Sequence, residues 1–206
     1  MLKLYTSGLI ERVELMTIGA SSYDKDNIKW LRDLWRDFRN VIIVEHSQSS
    51  LDKEERSTLL LMKEWTDSQS GETPILYFHT KGATRPDYTV HLWSKFMEYY
   101  NIDKWRTALS ILESGKVTYG VNLKMTTTDL FEKDYPHYSG NFWWARSSYI
   151  KTLDKDLLED SNRWKGEFWI GSGGQLEKMH NEFESGVDHY VQEFSPNNYI
   201  KPIEIF

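Results

Sequence analysis

Residues 75–86, ILYFHTKGATRP, begin as a short apolar run and turn abruptly into His79, Thr80, Lys81, Gly82 and Arg85. Four or five apolar residues bounded by polar turn formers read as a buried strand. What stands before and after that strand decides the fold. Upstream, the polar DSQSGETP breaks a helical stretch, SLDKEERSTLLLMKEWTDS, itself preceded by the strand-like NVIIVEHS. Before that come NIKWLRDLWRDF, with Ile28, Leu31, Leu34, Trp35 and Phe38 at helical spacing and Asp24 or Asp26 placed to cap it, and the strand-like RVELMTIGA. LKLYTS reads as the first strand of the chain. Downstream, DYTVHLWSKFMEYY and NIDKWRTALSILES read as two helices, the second stopped by Gly115, and KVTYGVNL as another strand.

Strands that alternate with helices predict an α/β fold, a mostly parallel central sheet flanked by helices. The stretch 123–140, LKMTTTDLFEKDYPHYSG, is rich in turn formers and reads as a long loop laid over the sheet. NFWWARSSYIKTL then reads as a short strand entering a helix, NRWKGEFWIGSGG as a helical turn with a glycine-rich stop, and GVDHYVQEFSPNNYIKPIEIF as an irregular aromatic tail.

Composition bounds the function. A chain of 206 residues with 39% hydrophobic side chains supports one ordinary core. Its net charge of -6 argues against general attraction to nucleic-acid phosphate or an anionic membrane, so an anion has to be caught locally. The absence of cysteine excludes disulfides, thiolate metal sites and thiol catalysis, and fits a cytoplasmic setting. No apolar run reaches the roughly 20 residues of a membrane span. Aromatic residues make up 15%, with Trp143, Trp144, Trp164 and Trp169 close together. Adjacent Trp143 and Trp144 point to opposite faces of a strand, which sets one of them in a cleft if only one face is core.

In an open α/β sheet, ligands collect beyond the carboxyl ends of the strands. His79, Thr80, Lys81 and Gly82 stand at one such end, Thr6, Ser7 and Gly8 at another, and Glu45, His46 and Ser47 at a third. Lys81 supplies a point charge for a phosphate, Gly82 permits close backbone approach, and the hydroxyls and rings supply directed hydrogen bonds. The plainer alternative is a polar strand cap, since the spacing matches neither G-x-x-x-x-G-K-[ST] nor G-x-G-x-x-G. Asn141, in SGNFWWA, has the donor and acceptor to meet sugar hydroxyls, and an indole face of Trp143 or Trp144 packs on a pyranose. Glu167, among aromatics in RWKGEFWIG, is placed either to take a proton from an acceptor hydroxyl or to pair with Arg163 on a helix.

LYFHTKGA, HYSGNFWWARSSYI and RWKGEFWIG, in this order and spacing, resemble a group of small GT-A-like glycosyltransferases of bacterial surface-glycan loci and large viruses of algae. The resemblance covers most of the chain, from LKLYTSGL to VDHYVQEF. It implies a single GT-A-like domain over 1–206, with about 1–85 binding the nucleotide and about 86–206 the sugar and acceptor. The implied activity is transfer of a sugar from a nucleotide donor, a UDP-sugar, to a glycan or other hydroxyl acceptor in surface or capsid glycan synthesis, alone or beside further glycosyltransferase domains. The residues it points to are Glu167 and Lys81 for catalysis, Thr6, Ser7, Gly8, Glu45, His79, Lys81 and Gly82 for the nucleotide, and Asn141, Trp143 and Trp144 for the sugar.

GT-A enzymes commonly hold Mn2+ or Mg2+ with Asp-x-Asp after the central strand, where this chain has His79, Thr80 and Lys81. A divalent metal held by His79 and His189 and direct compensation by Lys81 and Arg85 are therefore both open. So are two other functions: a non-catalytic carbohydrate-binding module built on the tryptophans, and a nucleotide-sugar hydrolase.

Overall fold

A computed structural model of the chain describes residues 2–20, 25–46, 55–81, 87–126, 134–159, 162 and 164–201. Ser47, Gly82, Arg85 and Arg163 lie outside them, as does Asp24. The expected α/β alternation is present. It comprises β1 (Met16–Ala20), α2 (Lys25–Trp35), β2 (Val41–Glu45), α3 (Arg56–Ser68), β3 (Pro74–Tyr77), α4 (Tyr88–Glu98), α5 (Trp105–Glu113) and β4 (Thr118–Gly120). Ile28 and Trp35 of α2 are buried, as their spacing predicts, and Gly115 ends α5 with φ +102°.

The chain opens differently from expectation. Leu2–Thr6 is a helix, α1, not a strand. Leu-Lys-Leu-Tyr alternates as a strand would, but five residues are too few to fix a period. Tertiary packing decides: Leu4, Leu9 and Ile10 are buried with Trp35 and Trp105, and Gly8, at φ +70°, turns the chain out of the helix.

The stretch 123–140 is likewise not a plain loop, since it contains β5 (Leu123–Thr126) and β6 (Tyr135–Tyr138), an antiparallel ribbon. There follow β7 (Trp143–Arg146), α6 (Ser147–Ile150), α7 (Asp156–Glu159), α8 (Lys165–Phe168), which continues as a 3-10 turn, and β8 (Met179–Asn181). Beyond β8 the chain is irregular apart from a 3-10 turn at Pro196–Asn198, as the sequence suggests.

Two strand pairs are parallel, β1 with β2 and β4 with β8, whereas β7 runs antiparallel to both β3 and β4, and β5 to β6. The expected mostly parallel sheet is thus corrected to small, mostly non-parallel sheets, the largest ordered β3-β7-β4-β8. Between β4 and β7 the chain passes through the β5–β6 ribbon and the turn at Gly140, and β7 then lies between β3 and β4.

Strand β7 is covered on both faces, which is why its sequence reads as a continuous apolar run. Trp143 and Ala145 sink into a cluster with Tyr77, Tyr138, Tyr149 and Trp169. Trp144 sinks into another with Tyr119, Trp35 and Trp105. A third cluster joins Trp93, Phe96 and Met97 of α4 to Phe142, Phe194 and Tyr199, so the irregular tail closes a core of its own. Among the described residues, no helix is long and apolar enough to cross a membrane.

Candidate functional site

The turn between β6 and β7 is the hub. Asn141 donates its amide N–H to the Tyr138 carbonyl at 2.9 Å, and Gly140 stands at φ +91°, the conformation the third residue of a type II turn requires. Asn141 follows at φ +59°, which asparagine tolerates better than most residues. Its side chain is held at both ends. The Trp143 indole N–H, a donor only, reaches Oδ1 at 2.8 Å, so the amide nitrogen faces Oε1 of Glu55, to which it donates at 3.1 Å. Buried, and bonded once at each end of its amide, Asn141 shapes the turn, and the open sugar ligand expected from the sequence is corrected to a positioning group.

Two further segments converge on Gly140. His79 Nε2 lies 3.1 Å from the Gly140 carbonyl oxygen, and since that oxygen only accepts, Nε2 carries the proton. The same nitrogen is 3.5 Å from Oε2 of Glu55. From the other direction the Gly140 amide donates to Oε1 of Glu167 at 3.3 Å. Glu55 also lies 3.5 Å from the Tyr77 hydroxyl, whose pKa burial, and then the Glu55 charge, push well above its ordinary value, so the phenol remains a donor.

The close approach depends on Gly166. A Cβ there would stand 2.9 Å from Arg56 Cγ and 3.4 Å from Glu55 Oε1, so the start of α8 can lie against the start of α3 only without one. Beside Glu167, the His137 ring packs on Phe168 at 4.5 Å. Burial lowers the His137 pKa, with the Glu167 charge opposing. The result is a half-buried acidic junction, two carboxylates and an imidazole gathered on one turn. Such a set can orient a hydroxyl and accept its proton.

On the other side of the turn, Lys81 lies over the Trp93 ring at 4.1 Å and near the Tyr190 ring at 5.7 Å. A cleft of about 470 Å³ adjoins these rings, lined by Trp93, Lys124, Ser139, Asp188, His189 and Tyr190 among others. That is the size range of small-molecule pockets.

Other expected site residues fall elsewhere. Thr6, Ser7 and Gly8 form the C-terminal turn of α1, with the Thr6 and Ser7 hydroxyls donating to the Lys3 and Leu4 carbonyls at 3.3 and 3.2 Å. The Ser7 carbonyl accepts from the Trp105 indole at 3.0 Å. The strand end that put them in the crevice does not exist. Glu45 ends β2 as expected, but is exposed and paired with Arg32 at 3.2 Å, while His46 lies 3.1 Å from the Thr58 hydroxyl.

Neither Trp143 nor Trp144 lines a cleft. Both are core, because β7 has two buried faces rather than one. His79 and His189 have different neighbours, His79 the turn and Glu55, His189 the side chains of Asn122 and Ser185. Among the described residues no three His, Cys, Asp or Glu gather as metal ligands.

Glu55 is the site residue that sequence reading misses. It stands in the charged run DKEER just before a helix, a pattern that ordinarily marks a solvated N-terminal turn. No motif singles it out, and its partners come from 22 to 86 positions away.

The chain belongs to the family described as a domain of unknown function (DUF8361), which it matches over residues 10–161. No curated protein and no solved structure matches it. The matched region includes Glu55, His79 and the turn at Gly140; Glu167 and His189 lie beyond it.

Proposed function

We propose that this member of the DUF8361 family is a GT-A-like glycosyltransferase that moves a sugar from a nucleotide donor, a UDP-sugar, to a hydroxyl acceptor. One observation carries the reading: the three segments on which the resemblance rests, around His79, Gly140 and Glu167, are far apart in sequence yet meet within hydrogen-bond distance at one turn. Their convergence brings to one place the proton acceptor and the donors that a reaction centre needs.

In this reading the acceptor hydroxyl oxygen bonds to the anomeric carbon as the bond from that carbon to the diphosphate breaks. The hydroxyl proton passes to Glu167, and the electron pair leaves with the diphosphate. Glu55 and His79 fix the turn that positions Glu167, and Lys81 offsets charge developing on the leaving group. Attack from the side opposite the nucleotide inverts the anomeric configuration. The absence of cysteine fits a cytoplasmic enzyme, and the surface or capsid glycan context rests on the resemblance alone.

The test is a thermal-shift series with UDP, UDP-sugars, GDP and CMP, with and without Mn2+, followed by a transfer assay on the stabilising donor. A ligand that binds the folded state raises apparent stability by mass action. UDP or a UDP-sugar is expected to stabilise most, and the product's anomeric proton signal to report inversion. Equal shifts for every nucleotide, or none, would overturn the reading. Sugar binding without nucleotide binding would replace it with a carbohydrate-binding module, and free sugar released in the presence of acceptor with a hydrolase.

A further inference from the structure

The cleft beside Lys81 is walled by the rings of Trp93 and His189, with Lys124 and Asp188 also in its lining. Trp93 and His189 are both more than nine-tenths buried, and their rings stack in parallel, centroids 5.2 Å apart with 6° between planes. Each carries a buried nitrogen, Nε1 of Trp93 and Nδ1 of His189, with no hydrogen-bond partner among the described residues. Buried polar groups are almost always satisfied, so two orphans on two stacked rings call for a cause.

Both orphans are donors. An indole N–H only donates. For His189 the assignment follows from its neighbours: the Ser185 amide donates to Asn122 Oδ1 at 2.7 Å, which turns the Asn122 amide nitrogen toward His189 Nε2 at 3.1 Å. Nε2 therefore accepts, and the neutral ring carries its proton on Nδ1. Burial, and then Lys124, lower its pKa to about 4 against the opposing pull of Asp188, so the ring is neutral at pH 7.

Two ammonium groups belong to the same region, Lys124 in the cleft lining and Lys81 over the Trp93 face. Asp188 is the opposing charge, and its Oδ1 is engaged by the Tyr190 amide at 2.9 Å. A sugar hydroxyl, which brings a proton of its own, suits this wall less well than an oxygen group that accepts several hydrogen bonds and carries negative charge.

We propose that this cleft is an oxyanion-binding subsite, in which Trp93, His189, Lys81 and Lys124 receive a phosphate or carboxylate group. It deepens the transferase reading, and rests on it, only in that the donor's diphosphate is one source of such a group. An acidic sugar on the acceptor is the other.

Isothermal titration of the full chain with inorganic pyrophosphate, glucuronate and uncharged glucose tests it. Pyrophosphate or glucuronate is expected to bind and glucose not. Selectivity for pyrophosphate identifies the diphosphate as the source, and selectivity for glucuronate the acidic sugar. Lys124→Gln, on an exposed side chain, should weaken binding about three- to tenfold, and Trp93→Phe, which removes one donor but keeps an aromatic ring, at least about tenfold. Lys116→Gln, a lysine outside the cleft, should change nothing. Melting temperatures of the free variants separate a binding role from damage to the core. Unchanged affinity in both cleft variants, or no binding of either anion, would overturn the subsite. Because neither anion carries a sugar joined to a diphosphate, pyrophosphate bound by a chain that proves inert in sugar transfer would end the transferase reading and leave the subsite standing.

Discussion

The two sides of the turn at Gly140 carry opposite chemistry. On one, Glu55 and Glu167 present carboxylates to the backbone of Gly140 and the side chain of Asn141, with His79 and Tyr77 as donors into the same cluster. On the other, Trp93, His189, Lys81 and Lys124 present donors and positive charge around a cleft. An enzyme that takes a proton from one reactant and stabilises an anion leaving the other needs both within reach of one bond. In a chain of net charge -6 the proposed anion subsite has one acidic residue among the described residues of its lining, Asp188, while Glu55 and Glu167 are held by donors at the turn.

Gly140→Ala should break the comparison altogether. Its φ of +91° is strained for any other residue, and an added Cβ would meet Met97 Sδ and come within 2.9 Å of Trp93. A loss of about 2–4 kcal/mol is expected in chemical denaturation, with both transfer and anion binding impaired. A variant as stable as the parent would show that the two sides do not depend on the turn.

Glu167→Gln sharpens the acidic side. It should lose at least about 10²-fold in transfer while retaining UDP and pyrophosphate binding. Normal transfer would remove Glu167 from the base role.

The cationic side has a pH signature. With its pKa lowered to about 4 by burial, and then by Lys124, His189 binds a proton more weakly in the folded than in the unfolded chain. Its contribution is therefore fully present above the ordinary histidine value near 6.5, is lost as pH falls from there to about 4, and is flat below that. Melting temperature should decline over that interval, and His189→Phe, which keeps a ring between Trp93 and Phe96, should make the decline shallower. An identical profile in the variant would assign the pH dependence to other groups.

Lys81→Ala has the smallest expected effect on folding, below about 0.5 kcal/mol, because its partners are ring faces at the surface of the third cluster. Donor turnover should nevertheless fall. If turnover held at the parent level, Lys81 would be a polar strand cap and no more.

The residues that were legible in the sequence, and those that were not, divide along a physical line. His79, Lys81, Asn141 and Glu167 stand out because each breaks an apolar pattern, and three of the four segments at the turn can be recognised without coordinates. Glu55 cannot, because a glutamate in a charged run has no local feature that distinguishes a carboxylate held by distant donors from one in water. The tryptophan pair shows the converse. Alternation of Trp143 and Trp144 across β7 follows from strand geometry, but whether a face meets a cleft or a second core depends on what the rest of the chain lays over it.

By itself, the sequence determines the order of α2, β2, α3, β3, α4, α5 and β4, the stop at Gly115, the passage of β7 into α6, and the irregular tail. These follow from short-range rules: the period of apolar residues, the backbone freedom of glycine, and the capping and breaking of helices. Tertiary structure alone decided that Leu2–Thr6 is a helix, that 123–140 holds the β5–β6 ribbon, that β7 runs antiparallel between β3 and β4, and that Glu55 meets Gly140 and Asn141. Leu2–Thr6, β5 and β6 carry no continuous apolar run of the kind that marks β2 and β3, and their packing and pairing partners lie elsewhere in the chain. Their conformation is therefore set by the surface they land on.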